Sequence, residues 1–396
     1  MRFGRSLPIR TTITTLLLLP LLATAVPARA DLLNFVEMRR NGADGVDGLA
    51  GVLSVTVSPD GKYLYAAGPS DNAVAVFHRN ATTGSLTPVE VVRNGVDGAE
   101  GLTYASAVAI SPDGAHAYVT GSLDDAVAVF RRNRTTGKLG FVEVQKQGVG
   151  VDGLTFARAV TVSPDGANVY VAGQVDNAVA VFGRNQTTGA LTFVEVQRDG
   201  VDGVDGLAGP LSVAVSPDGA HLYAAGGSDN AVAVFRRSPV TGGLSFVELQ
   251  KEGVNGLNIA GTHSVAVSPD GANVYASGQS DDAVAVFRRN PTTGALTLLD
   301  VLAEGVDGVD GLFGALWVAL SPDGAHVYVS GTHDNAVAVF DRDAATGALS
   351  FVEVQEGSGG RGLAFARAVA VSPDGKNVYV GGASSNAVTV FRVGAN

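Results

Sequence analysis

The sequence predicts an all-β fold: a seven-bladed β-propeller with four antiparallel strands per blade, closed by its own N-terminal strand. Three observations carry this. The tetrapeptide Ser58-Pro59-Asp60-Gly61 returns at Ser111, Ser163, Ser216, Ser268, Ser321 and Ser372, always 51 to 53 residues further on. A fixed period of that length marks one repeat architecture, not seven domains. Each period holds four short runs rich in Val, Ala, Phe and Tyr, broken by Gly, Pro, Asp and Asn, the pattern of strands and turns. The seventh period stops after its third run, Ala387 to Arg392. Its missing fourth run, Leu33-Asn34-Phe35-Val36-Glu37-Met38, stands near the start of the chain and matches Leu349-Ser350-Phe351-Val352-Glu353-Val354 of the sixth period.

Residues 1–30 read as a secretory signal peptide. Arg2, Arg5 and Arg10 precede an apolar run from Leu16 to Val26, and Ala28-Arg29-Ala30 is a small-x-small cleavage site. The fold is then expected in residues 31–396 as a single domain, exported to a periplasm or the cell exterior. No later apolar stretch is long enough to span a bilayer. The chain has no cysteine, so neither disulfides nor N-terminal acylation of a cysteine is available.

The fourth period shows the unit. Leu211 to Val215 reverses through Ser216-Pro217-Asp218-Gly219 into Ala220 to Gly226; Ser228-Asp229-Asn230 leads into Ala231 to Arg237, and a turn with Thr241-Gly242 leads into Leu244 to Gln250. Proline presets φ, aspartate caps the backbone locally and glycine relieves the Cβ clash, so this tetrapeptide favours a tight turn. Alternation is weak in the first and third runs, as in Val232-Ala233-Val234-Phe235, which predicts strands covered on both faces. Radially packed blades give that cover.

Propeller topology puts the loops leading into each first strand on one face with the loops joining second to third strands. The Ser-Pro-Asp-Gly turns fall on the other face, and His116, His221 and His326 beside them are expected to be exposed. The first face is rich in carboxylates. Asp202, Asp205, Asp307 and Asp310 in the leading loops are candidate ligands for Ca²⁺, a hard cation that takes carboxylate and carbonyl oxygens. Asp-Gly and Asp-Asn are also ordinary turn formers. No other cofactor is called for.

The repeats differ most informatively four or five residues before each Ser-Pro-Asp-Gly. That position reads Leu53, Ser106, Arg158, Leu211, His263, Leu316 and Arg367, with Trp317 next in line. Arg158, His263 and Arg367 converge at the channel mouth, where two guanidinium forks could hold a carboxylate or phosphate and an imidazole could move a proton. The alternative is that each Arg pairs with a neighbouring acidic loop and the histidine is simply packed. The formal net charge of −11 becomes −15 without the four arginines of residues 1–30, which speaks against nucleic acid and anionic membranes as partners.

The segments Ala117-Tyr118-Val119-Thr120-Gly121 and Asp176-Asn177-Ala178-Val179-Ala180-Val181-Phe182 resemble the YVTN-type repeats of the seven-bladed lactonase-like propeller family. That resemblance implies the propeller fold for essentially all of residues 31–396. Some members are 6-phosphogluconolactonases or carboxymuconate cyclases that use His and Arg at the channel mouth, and His263-Ser264 looks like the family's His-Ser motif. Similarity to the family therefore implies His263 as the group that activates water, with Arg158 and Arg367 holding the substrate. Here the blades are close to one another in sequence and the His-Ser pair occurs once. The leading expectation is accordingly a non-catalytic scaffold, a monomer that binds a small anionic ligand or a protein or cell-envelope partner. A lactone hydrolase at the mouth is the alternative.

Overall fold

The computed structural model describes Met1 and residues 32–148 and 150–394, so the signal-peptide segment lies outside the described residues but for Met1. Seven four-stranded antiparallel sheets follow one another around a ring. The fourth blade is Pro210–Val215, His221–Gly226, Ala231–Arg237 and Leu244–Lys251, within a residue or so of the runs read from sequence. The seventh takes Ala366–Val371, Asn377–Gly382 and Ala387–Val393 from the end of the chain and Leu33–Arg40 from its beginning, Leu33 standing opposite Val393.

The repeated turn folds as its residues dictate. The Ser216 carbonyl accepts the Gly219 N–H at 2.8 Å, the Ser216 hydroxyl reaches Asp218 at 2.5 Å, and Gly219 takes φ +70°, where a side chain is strained. Second and third strands are almost wholly buried, as in His221–Gly226 and Ala231–Ala233. The first strands depart from expectation, being only half-buried, because one of their faces lines the axial channel. The core is therefore a set of wedges between blades. One joins Tyr170, Val179 and Val181 of the third blade to Leu222, Ala233 and Phe235 of the fourth.

His116, His221 and His326 are buried, not exposed: His221 retains 1% of its surface. For His116 and His221 the reason is a clasp between neighbouring blades that the turn position alone does not reveal; His326, at the joint where Val393 stands in place of the clasp arginine, lies 3.0 Å from Asp341 on the paired third strand. Arg289, at the end of a third strand, donates to the Tyr223 hydroxyl (2.9 Å), Asp218 (2.7 Å) and His221 Nδ1 (2.8 Å) of the preceding blade, and to the Gly271 carbonyl of its own turn (3.0 Å). Arg79, Arg132, Arg184, Arg237 and Arg342 repeat the Tyr and Asp bonds. Asn168, Asn273 and Asn377 take the histidine's place in other blades. At the seventh joint the position is Val393, and the Tyr328 hydroxyl it would serve is buried with no hydrogen-bond partner among the described residues.

Candidate active site

On the face opposite the Ser-Pro-Asp-Gly turns, two sets of hydrogen bonds fix the loops. Asp229 accepts the Ala208 N–H (2.8 Å) within its blade, and Asn177 of the preceding blade accepts the Gly209 N–H (2.8 Å). The second bond recurs at all seven joints, from Asn72, Asp125, Asn177, Asn230, Asp282, Asn335 and Asn386. Its donors are Tyr104, Phe156, Gly209, Gly261, Gly314, Phe365 and Gly51, all with positive φ. Most of the carboxylates and amides in the loops joining second to third strands are therefore structural acceptors.

The four calcium candidates separate. Asp205 comes together with Asp199 and Asp229, and Asp310 with Glu304 and Asp334, their oxygens within 4.8 Å of one another. Asp202 and Asp307 stand outside these groups, on exposed turns with φ of 52° and 51°. The clustered carboxylates already accept backbone N–H groups: Asp205 from Gly206, Asp199 from Leu207 and Asp229 from Ala208. Equivalent bonds to Asp71 and Asp124 recur where no such cluster forms, so loop locking accounts for them without an ion. Burial, with like charge nearby, raises the Glu304 and Asp334 carboxyls above their ordinary values.

The ring read from sequence does assemble. Leu53, Ser106, Arg158, Leu211, His263, Leu316 and Arg367 all line one constriction of the channel, joined by Trp317. In six blades the ring residue sits where the pairing of first and second strands slips, as between Ala157 and Ala159 or between Thr262 and Val265. Such bulges re-aim a side chain, here toward the axis. The enclosed space is about 20 Å³, room for roughly one water and no sugar. The channel below it, lined by first-strand residues such as Thr56, Val108, Thr161 and Val213, is wider at about 320 Å³.

His263 is 6% exposed, and its Nδ1 is buried with no hydrogen-bond partner among the described residues. Burial holds its pKa well below 6.5, and the positive charges of Arg158 and Arg367 push the same way, so the imidazole is neutral. Among the described residues neither arginine forms an ion pair with the acidic loops. Arg158 has its pKa lowered by burial, which the nearby Tyr104 hydroxyl partly offsets. Arg367 is lowered to about 10 by burial and by Arg158, and its guanidinium lies 5.4 Å over the Phe365 ring. Two under-compensated cations beside a neutral base can hold an anion, polarise a carbonyl and accept a proton.

The aromatic rim was missed in the sequence. Tyr104, Phe156 and Phe365 occupy left-handed backbone at φ 58°, 54° and 56°, where four other blades have glycine. A bulky residue held there costs roughly 1–3 kcal/mol and persists only where its surroundings over-determine it. The signal was present: Gly-Leu-Thr-Tyr, Gly-Leu-Thr-Phe and Gly-Leu-Ala-Phe end at 104, 156 and 365, whereas Gly-Leu-Ala-Gly ends at 51 and 209.

A seven-bladed propeller with a charged ring closing its channel is an architecture shared by enzymes and binding proteins. This chain belongs to the lactonase, 7-bladed beta-propeller family, whose matches span residues 54–204, 196–310 and 301–396. It is 28% identical over 146 residues to a 6-phosphogluconolactonase of Bacillus subtilis, a match covering 37% of this chain and 40% of that relative. The fold is also that of the periplasmic gluconolactonase PpgL of Pseudomonas aeruginosa, with a TM-score of 0.66 and 23% identity over 86% of this chain and 91% of that one. A chain of Kuenenia stuttgartiensis hydrazine synthase is as similar in shape, with a TM-score of 0.65 and 22% identity over 90% of this chain and 99% of that one. Shape alone therefore does not select a reaction. Among the described residues no helix is long and apolar enough to cross a membrane.

Proposed function

We propose that this protein hydrolyses lactones at the mouth of its channel. The observation that carries the reading is His263: a buried, neutral imidazole with an unpartnered Nδ1, lining a water-sized space between two guanidinium groups. Family membership and the name of the Bacillus subtilis relative support it over the non-catalytic scaffold expected first.

In this reading His263 takes a proton from water as the water oxygen bonds to the lactone carbonyl carbon. Arg158 and Arg367 stabilise the oxyanion that forms. The tetrahedral intermediate collapses by breaking the ring C–O bond, His263 returns the proton to the departing alkoxide, and the hydroxy acid formed loses its carboxyl proton to solvent, leaving a carboxylate beside the arginines. No metal is needed in these steps. The sequence of residues 1–30 adds the proposal that the reaction takes place outside the cytoplasm.

The test is hydrolysis of a lactone panel by residues 31–396 and by the same chain carrying His263→Ala, with circular dichroism to verify the fold. Turnover lost in a folded variant supports the assignment. Equal turnover by both proteins removes His263 from the reaction, and no turnover on any lactone returns the weight to a binding scaffold.

A further inference from the structure

The repeats are so alike that their departures from one another at the rim stand out. Side chains run without a break from the arginines into apolar surface. The Tyr104 and Phe156 rings are 6.1 Å apart, and the Tyr104 hydroxyl lies near enough to Arg158 to favour its charged form. On the other side Arg367 covers Phe365, which is 6.3 Å from His333, itself 4.8 Å from Phe313. Phe313 is 48% exposed, as are Leu123 and Val175 at 60% and 62% beside the Tyr104 and Phe156 loops. Where Leu123 and Val175 stand, blades one, four and five have Ser70, Ser228 and Ser280, each on the equivalent loop bond. Blade one, between the two aromatic walls in ring order, offers only Ala50, Gly51 and Ser70 there. In ring order the two walls thus stand on either side of the small residues of blade one.

Packing alone does not call for these aromatics. The left-handed position is served by glycine in four blades, with the same N–H bond to the preceding blade. Three blades instead hold an aromatic in strained backbone, which concentrates at ligand-binding positions. The acids of the rim add a selection of their own. Asp199, Asp205 and Asp229 lie on blade four, and Glu304, Asp310 and Asp334 on blade six, so a doubly charged phosphate approaches against like charge.

We propose that the substrate is a lactone bearing an apolar substituent, alkyl or aryl, with its ring carbonyl at Arg158 and Arg367 and the substituent in the gap between the Tyr104–Phe156 and Phe365–Phe313 walls. This rests on the lactonase reading of the same mouth and narrows it: polyhydroxylated and phosphorylated sugar lactones are the poorer substrates.

The experiment compares kcat/KM for δ-decanolactone and dihydrocoumarin with that for glucono-δ-lactone, and measures binding of decanoate against gluconate by calorimetry. It uses the wild-type protein and the variants Phe156→Gly, Phe365→Gly and Leu123→Ser. Glycine and serine are the residues other blades carry at those positions, and thermal melts report whether each variant is folded. The expected result is a preference for the apolar lactones of about tenfold or more, falling toward parity in the folded variants. A wild type that prefers glucono-δ-lactone, or a preference the variants leave unchanged, overturns the proposal and leaves the lactonase reading standing. If no lactone turns over, decanoate binding that weakens in the variants sustains the apolar site while the hydrolase fails. Equal binding of decanoate and gluconate with no turnover overturns both.

Discussion

His263 is a base whose surroundings work against its protonation. Burial and two neighbouring positive charges keep it neutral well below pH 6.5, so the acid limb of kcat/KM, which reports the free enzyme, is expected well below pH 6.5. A pH–rate profile with that limb at or above 6.5 would assign the base elsewhere. Stability follows the same sign. His116, His221 and His263 all have folded pKa values lowered chiefly by burial, so between those values and 6.5 the unfolded chain binds more protons than the native one. Melting temperature should therefore fall as pH drops from 7.5 toward 5. A second loss begins near and below pH 3.8, where Asp113 and Asp218, held at about 2 against the opposing effect of burial by Ser111 and Ser216, become protonated in the unfolded chain first. A melting temperature flat from pH 7.5 to 5 would contradict the histidine account. The ring that holds His263 was legible because seven aligned positions differed in kind. The strained aromatics beside it were not, since backbone handedness at 104, 156 and 365 leaves no mark in hydrophobic pattern.

The clasp is the joint that recurs from one blade to the next. Its arginines are buried, with side-chain exposures of 0 to 2%, while the partner aspartates remain 30 to 45% exposed. Removing such a cation strands the Tyr hydroxyl and leaves a polar hole. Arg237→Ala is expected to cost about 3 kcal/mol by denaturant unfolding, and a loss under about 1 kcal/mol would show the clasp to be incidental. The reverse change is available at the sixth and seventh blades, where Val393 faces the unpartnered Tyr328 hydroxyl, and where burial pushes the Tyr328 pKa upward. Val393→Arg should give that hydroxyl a donor and raise stability by roughly 1 kcal/mol, seen as a higher melting temperature. An unchanged or lower one would mean the joint has been settled by other contacts. From sequence the histidines of the clasp read as exposed hairpin positions, because the clasp's bonds run to partners 66 to 72 residues away in the next blade. Strand limits and turns are local, so they could be read; contacts one full period apart could not.

The whole ring depends on the pairing of Leu33–Arg40 with Ala387–Val393. At that seam the Leu32 and Leu33 N–H groups both donate to Glu353, at 2.8 and 2.7 Å, and Leu33 packs with Tyr328, Val337 and Phe391. A chain beginning at Asn41 loses these contacts and leaves an open strand edge, which invites pairing between molecules. It is expected to elute as oligomers by size-exclusion chromatography, and a synthetic peptide of residues 32–40 should restore the single-ring species. A truncated chain that stays monomeric with an unaltered melting temperature would show the closure to be dispensable. This closure was legible because one run was missing at one end and surplus at the other. The channel's constriction was not, as it depends on how seven side chains meet.

The seam also imposes an order on synthesis. The strand Leu33–Arg40 is made before every other strand of the ring, and its partner Ala387–Val393 after every other. Every nascent chain therefore carries Leu33–Arg40 unpaired until Ala387–Val393 is made, with six blades' worth of near-identical third strands appearing beside it. The missing arginine clasp falls at this same junction, so the final joint is made by strand pairing, the Glu353 bridge and apolar contact. A chain cut just before Ala387 would hold six complete blades and still be unable to become a ring.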